Sequence, residues 1–130
     1  MRKRTKILII IFIVIVTLSL LGIYMIKRIN HEMEDLTNTS IHEIDLSNID
    51  DRIYLGTFES LLIIVEVEVK IQNHLIIDID ILKHQNGQGD AAEIIIDDVL
   101  LLQKVNIDLI SGATYSSKAI LLALEDALSH

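Results

Sequence analysis

Val65-Glu66-Val67-Glu68-Val69-Lys70-Ile71-Gln72, then Asn73-His74, then Leu75-Ile76-Ile77-Asp78-Ile79-Asp80-Ile81, is the stretch that decides the fold. The first run alternates strictly, with Val65, Val67, Val69 and Ile71 set against Glu66, Glu68, Lys70 and Gln72. Side chains of a strand point to opposite faces in turn, so this is a strand with one face buried and one in water. The second run, with Leu75, Ile77, Ile79 and Ile81 set against Ile76, Asp78 and Asp80, follows at once and makes a hairpin. A two-residue loop at Asn73 and His74 places Val69 opposite Asp78 and Val67 opposite Asp80, mixing the faces. A three-residue loop from Gln72 to His74 pairs Ile71 with Leu75, Val69 with Ile77, Val67 with Ile79 and Val65 with Ile81, which makes one face wholly apolar. Asn73 or His74 supplies the left-handed residue such loops need. That register sets Glu68 against Asp78 and Glu66 against Asp80, a mild repulsion that requires the outer face to be well solvated.

Downstream of the hairpin the periodicity changes. Gln85 to Gly89 reads as a turn, and Asp90 with Glu93 three residues on resembles a capping box opening a helix to about Lys104. The β-branched run Ile94 to Ile96 is equally at home in a buried strand. A last helix from about Tyr115 to Leu128 carries Ile120, Leu121, Leu124 and Leu128 at helical spacing. Strands followed by helices give an α+β fold: a small antiparallel sheet with helices packed on one side.

Upstream, Ile7 to Ile26 is twenty residues without charge, Asn, Gln or Pro. At about 1.5 Å per residue it spans about 30 Å as a helix, the thickness of a hydrocarbon core. A cleaved signal peptide has a shorter apolar region, about 7 to 15 residues, and ends in a small-x-small cleavage site, which this run lacks. One transmembrane helix therefore precedes the α+β domain. Arg2, Lys3, Arg4 and Lys6 precede the apolar run and only Lys27 and Arg28 follow, which by the positive-inside tendency places the N-terminus in the cytoplasm and the domain outside. The expected organisation is a basic tail and anchor over 1–28, a juxtamembrane linker over 29–50 with one helical turn around Glu32 to Leu36, and a domain over 51–130.

Charge is divided along the chain. Of 11 basic and 19 acidic residues, residues 1–28 hold six basic and no acidic ones, leaving five against nineteen, a formal −14, for residues 29–130. Such a surface repels phosphate backbones and argues against nucleic acid as a partner. The absence of Cys excludes disulfides, thiolate-held zinc, iron–sulfur clusters and thioether-attached haem. His31, His42, His74 and His130 are scattered without metal-ligand spacing, so no metal site is expected. If the domain handles electrons, an organic cofactor carries them.

Asp108-Leu109-Ile110-Ser111-Gly112-Ala113-Thr114-Tyr115-Ser116-Ser117 joins the two expected helices. Read from its residues, it is a small-residue turn entering a helix, with Thr114, Ser116 and Ser117 as candidate caps. The same stretch also suits an anion. The first N–H groups of a helix lack partners, the dipole there is positive, and Gly112 and Ala113 leave room. His84, beside Gly87 and Gly89, reads more readily as a solvated loop residue than as a ligand contact. Tyr115 is equally suited to stacking on a ring or to packing at the helix start.

Ser111-Gly112-Ala113-Thr114, preceded by Asp108 and followed by Ser116, resembles the flavinylation motif of the FMN-binding domain family, which includes the small periplasmic subunits of Na+-pumping quinone reductase and of the Rnf complex. The resemblance runs from about Tyr54 to Leu128: a Gly-Thr-aromatic opening at Gly56 to Phe58, the alternating hairpin, a His-containing loop at His84, a helix, the motif and a final helix. Members commonly have Gly near the start of the first long strand, where this chain has Ser60-Leu61-Leu62-Ile63-Ile64. In that family a flavin transferase uses FAD and Mg2+ to place FMN on the motif Thr as a phosphoester. The resemblance therefore implies covalent FMN on Thr114, with Asp108, Ser111, Gly112 and Ala113 as the recognition frame. It implies a membrane-anchored extracytoplasmic electron carrier, partnered by the membrane, a flavin transferase and a membrane electron donor or redox complex. No catalytic residue is expected, and the chain reads as a carrier or redox subunit more than a stand-alone enzyme. The alternatives are an anchored binding or scaffold subunit without flavin, in which the motif is only a cap, and a flavin-dependent extracytoplasmic reductase.

Overall fold

A computed structural model describes residues 2–85 and 89–129, the side chains of Asp90 and Ala91 excepted. The chain divides into two compact units, 1–32 and 33–130. Helix α1 covers Lys3–Asn38 and is long and apolar enough to cross a membrane, with a mean hydropathy of 3.0 over its most apolar 18-residue window. Two of the three hydroxyl residues within the apolar run, Thr17 and Ser19, bond the helix backbone: Thr17 Oγ1 donates to Val14 O (2.9 Å) and Ser19 Oγ to Ile15 O (2.8 Å). This is how polar side chains are accommodated where no water is available.

The second unit is the expected α+β fold. Strands β1 (Ile53–Glu59), β2 (Ile64–Gln72) and β3 (Leu75–Gln85) form an antiparallel sheet in the order β1-β2-β3. Helices α2 (Asp90–Glu93), α3 (Ile95–Leu102) and α4 (Thr114–Leu128) follow. Val65, Val67, Val69 and Ile71 are all buried, as alternation requires, while Lys70 and Gln72 are exposed and Glu66 and Glu68 half-exposed. Against that face α4 buries Ala119, Ile120, Leu121, Ala123, Leu124, Ala127 and Leu128. The segment expected as a juxtamembrane linker contributes Leu36, Ile41 and Ile49 to the same core, and carries a short 3-10 turn at Leu46–Asn48 capped by Asp45.

The hairpin register differs from the expected one. Gln72 pairs with Leu75 and Ile71 with Ile76, so the loop is the two-residue one, Asn73-His74, with both residues at positive φ (52° and 60°). That is the primed turn whose twist matches the flanking strands, and Asn is well suited to it. Face mixing is then avoided by a β-bulge, not by a longer loop. Ile77 is the extra residue, after which Lys70 pairs with Asp78, Val69 with Ile79, Glu68 with Asp80 and Val67 with Ile81. A second irregularity passes over Leu82 and brings Glu66 opposite Lys83 and Val65 opposite His84. An extra residue shifts parity by one, which restores apolar pairing on the inner face. Ile76 is therefore buried (3% exposed), and Leu75 and Ile77, expected inside, face out. Glu66 meets no aspartate; its carboxylate lies 3.5 Å from Lys83 Nζ.

The helix expected over Asp90 to Lys104 is two pieces, α2 and α3, interrupted at Ile94. Asp97 N bonds Ile94 O in a tighter three-residue turn, and the offset buries Ile95 and Val99 while Ile94 points out. The cap of α2 is Gly89, at φ 53°, where Asp90 was expected. The Asp90 side chain of the expected capping box lies outside the described residues, as does the centre of the expected turn at 86–88. Helix α3 stops at Gln103 in the left-handed conformation (φ 53°, ψ 39°). The Gln103 amide pairs with the edge of β3 as a strand would: Ile76 N donates to its Oε1 (2.7 Å), and its Nε2 donates to Ile76 O (2.9 Å) and Leu100 O (2.7 Å).

Two features fix α4 on the sheet. Gly56 in β1 is buried, and a Cβ there would lie 2.0 Å from Ala123 O and 2.6 Å from Ala127 N, so strand and helix backbones approach as only glycine permits. Next to it Thr57 N donates to Asp126 Oδ2 at 2.9 Å. The loop from β1 to β2 is closed by Ser60, whose Oγ accepts from Ile63 N (3.2 Å) and whose N–H donates to Ile63 O (2.9 Å).

Candidate functional site

The motif is a turn that delivers a helix start. Ala113 N donates to Ile110 O at 3.1 Å, closing a four-residue turn whose third residue, Gly112, has φ 83°. A positive φ at that position is the type II requirement and selects glycine. A Cβ at Gly112 would meet nothing within 4 Å, so the space above the turn is open. Ala113 is the N-cap of α4, 1% exposed, with φ −131° and ψ 36°, and no side chain caps the helix.

Thr114 is thus the first residue of α4 and not its cap. Its side chain is half-buried, its hydroxyl is not used in capping, and the cap residue Ala113 offers no side chain to the leading N–H groups of the helix. The neighbouring hydroxyls are differently placed. Ser117 is fully buried and its Oγ donates to Ala113 O at 2.7 Å; Ser116 is 1% exposed. Of the three candidate caps, Thr114 alone reaches the surface. Ser111 and Gly112 are exposed beside it. Asp108 is exposed in the coil before the turn and no hydrogen bond joins it to the motif; it lines a shallow depression of about 420 Å³ with Leu102, Lys104, Asn106 and Ile107. The structure therefore gathers Ser111, Gly112, Ala113 and Thr114 around one helix start and leaves Asp108 to one side.

Tyr115 is 39% exposed, so it is not spent on core packing. His84 is not a solvated loop residue. It stands on β3 opposite Val65, with its side chain 5% exposed and Nδ1 3.4 Å from Glu93 Oε1. Its Nε2 is buried without a partner. Gly87 and Gly89 suggest a loop at this position, but β3 runs further, to Gln85.

The pairing of His42 with Glu125 and the burial of Lys118 are not foreseen from the sequence. His42 Nδ1 lies 2.6 Å from Glu125 Oε1, which also accepts from His42 N, and these residues line a depression of about 380 Å³ with Thr39, Thr57, Phe58 and Asp126. Nothing in the sequence links positions 83 residues apart. Lys118 is 8% exposed on α4. Its position four residues after Thr114 was legible, but its burial was not. Among the described residues no three His, Cys, Asp or Glu side chains come together as a metal site. Two carboxyls are held below the ordinary range: Asp45 by hydrogen bonds from the Ser47 side chain and backbone, and Asp51 chiefly by the Asn73 backbone N–H. Both belong to turns and not to the motif.

A comparison with curated proteins finds no match to the chain. The family model described as FMN-binding domain matches residues 63–129, from the end of the β1–β2 loop through β2, β3, the motif and α4, which is just over half of the chain. The matched span contains the whole helix-start site, and the chain belongs to the FMN-binding domain family.

Proposed function

We propose that FMN is held covalently, as a phosphoester on Thr114, and that the chain is an anchored extracytoplasmic electron carrier. The observation that carries this reading is the state of the three hydroxyls at the start of α4: those of Ser116 and Ser117 are buried, and that of Thr114 stands uncommitted at an uncapped helix end. A phosphate on Thr114 Oγ1 meets the positive end of a 15-residue helix that no side chain caps. Gly112 leaves the approach clear. The residues present fit a phosphate-linked group, and the reading of Thr114 as a mere cap loses its support, because the cap is Ala113.

The attachment is a phosphoryl transfer with no change of oxidation state. Thr114 Oγ1 bonds to the FMN phosphorus of FAD, the bond from that phosphorus to the bridging oxygen breaks, AMP leaves, and the hydroxyl proton is released. A flavin transferase with Mg2+ supplies the catalysis. Bound flavin supplies one- and two-electron chemistry, so the protein has only to position and tune it. A covalent link suits a carrier outside the cell, where a cofactor that dissociated would be lost. The basic residues before the apolar run support that orientation. The electron donor is a membrane redox complex, and the acceptor a second redox protein or a small molecule.

The test is to produce the full chain with and without an active flavin transferase, and to record flavin fluorescence after denaturation. Fluorescence that survives denaturation only with the transferase supports the carrier. Its absence in both removes it.

A further inference from the structure

Residues 29–130 carry five cations against nineteen carboxylates. Lys83 pairs with Glu66 at 3.5 Å and Lys104 with Glu43 at 3.6 Å, Arg52 lies 4.5 Å from the centre of the Tyr54 ring, and Lys70 is exposed on the outer sheet face. Lys118 is the exception. It is 8% exposed, and among the described residues it has no ion pair or hydrogen bond. Leaving a charge buried without a partner is costly, and in so acidic a unit a carboxylate partner is easy to supply. The one buried side-chain nitrogen or oxygen without a partner among the described residues is His84 Nε2, so Lys118 Nζ, which has none either, still touches solvent. The stem is buried and the ammonium reaches the surface unanswered.

Where it surfaces follows from helix geometry. Lys118 is four residues after Thr114 on the same helix, so their Cβ atoms lie about 5–6 Å apart on one face. Helical side chains lean toward the N-terminus, so the Lys118 stem leans back toward the first turn, on the face that carries Thr114. A helix start without a side-chain cap and a nine-tenths buried lysine with no partner thus share one face of the first turns of α4.

We infer that Lys118 is the counter-ion of the phosphodiester formed at Thr114, a positioning residue that pins the cofactor's link to the first turn of α4. This rests on the phosphoester reading above. Lys118 takes no part in electron transfer; it neutralises the single charge of the diester and restricts the tether.

A double-mutant cycle on the full chain in detergent, produced with a flavin transferase, tests the inference. Lys118→Met keeps the buried stem and removes the charge; Lys118→Arg keeps the charge. Each is made in the wild-type background and in Thr114→Ala, which has no attachment hydroxyl. Lys118→Met should lower the Tm of the flavinylated protein and leave that of the Thr114→Ala protein unchanged or raised. It should also move the 31P resonance of the diester, and Lys118→Arg should restore both. Loss of label in Lys118→Met with recovery in Lys118→Arg also supports a charge contact with the phosphate. Equal Tm changes in both backgrounds with an unmoved 31P resonance, or loss of label in Met and Arg variants alike, overturns it. Wild-type protein without label removes the phosphoester reading itself, a result separable from all of these.

Discussion

Replacing Gly56 by Ala tests the packing that holds α4, and with it Thr114, on the sheet. The added Cβ falls 2.0 Å from Ala123 O, 2.6 Å from Ala127 N and 2.7 Å from Ala127 Cβ, where ordinary contact begins at 3.4 Å. All three atoms are backbone or fixed to it, so no side-chain rotation relieves the clash. Helix and strand must separate by more than an ångström, and overpacking of this kind costs about 1–3 kcal/mol. The separation also strains the bond from Thr57 N to Asp126 Oδ2, where a hydrogen bond to a charged group contributes about 1.5–3 kcal/mol. Ala is intrinsically better than Gly in a strand by about 0.5–1 kcal/mol, which offsets part of this. The net expectation is a loss of about 2–4 kcal/mol, or roughly 10–25 °C in Tm for a unit of this size. Thermal unfolding of the full chain in detergent, followed by near-UV circular dichroism, reads it, since Tyr54 is 6% exposed in β1. A Tm within a degree or two of wild type would refute the close approach.

Further outcomes follow from the register and the turns. Val67→Asp places a charge at a fully buried position and should destabilise by more than about 3 kcal/mol in urea unfolding, whereas Glu66→Lys should cost only about 0–1 kcal/mol through loss of the Lys83 pair. A stabilising Glu66→Lys would favour the three-residue loop instead. Gln103→Ala leaves the Ile76 backbone N–H and C=O without their partner, so hydrogen exchange at the Ile76 amide should accelerate by at least about tenfold, about 1.4 kcal/mol of opening energy; unchanged exchange would show that the edge is protected by something else. Asp45 has a lowered folded pKa, so its contribution is present above its unfolded value of about 3.8 and is lost as pH falls through the folded one. Asp45→Asn should therefore flatten the acid limb of a stability–pH curve, and an unaltered limb would contradict its capping role. Protease added to intact cells should remove the domain and spare the N-terminal tail; a fully protected domain reverses the orientation.

What was legible in the sequence follows from which signals are unambiguous. The inner face of β2 was readable because every second residue is polar. Its partner was not, because Leu75, Ile76 and Ile77 are apolar in succession and fit either parity, so nothing marks Ile77 as the bulge. Strand β1 is blurred in the same way: Ile53 and Leu55 face out while Tyr54 and Gly56 face in. The break at Ile94 is a tertiary effect, set by the burial of Ile95 and Val99. At the site, the turn and helix start could be placed from Gly112 and the spacing of Ile120, Leu124 and Leu128. Which of three hydroxyls is available could not, since Ser116 and Ser117 look solvent-facing by residue type and are buried by their position on α4. A lysine likewise reads as surface, and only the fold reveals Lys118 as buried.

Intact mass measured with denatured in-gel flavin fluorescence tests the attachment at Thr114 most directly. Thr114 is not a cap, so Thr114→Ala should cost the fold less than the roughly 1 kcal/mol of a lost cap while abolishing covalent flavin. Thr114→Ser should retain some label. Ser116→Ala and Ser117→Ala, made in parallel, should remain flavinylated, because their hydroxyls are buried. Produced with an active transferase, the wild-type chain should carry one added FMN less one water, and Thr114→Ala none. A folded Thr114→Ala protein that still carries the full adduct, or a wild-type protein that carries none, would contradict the assignment.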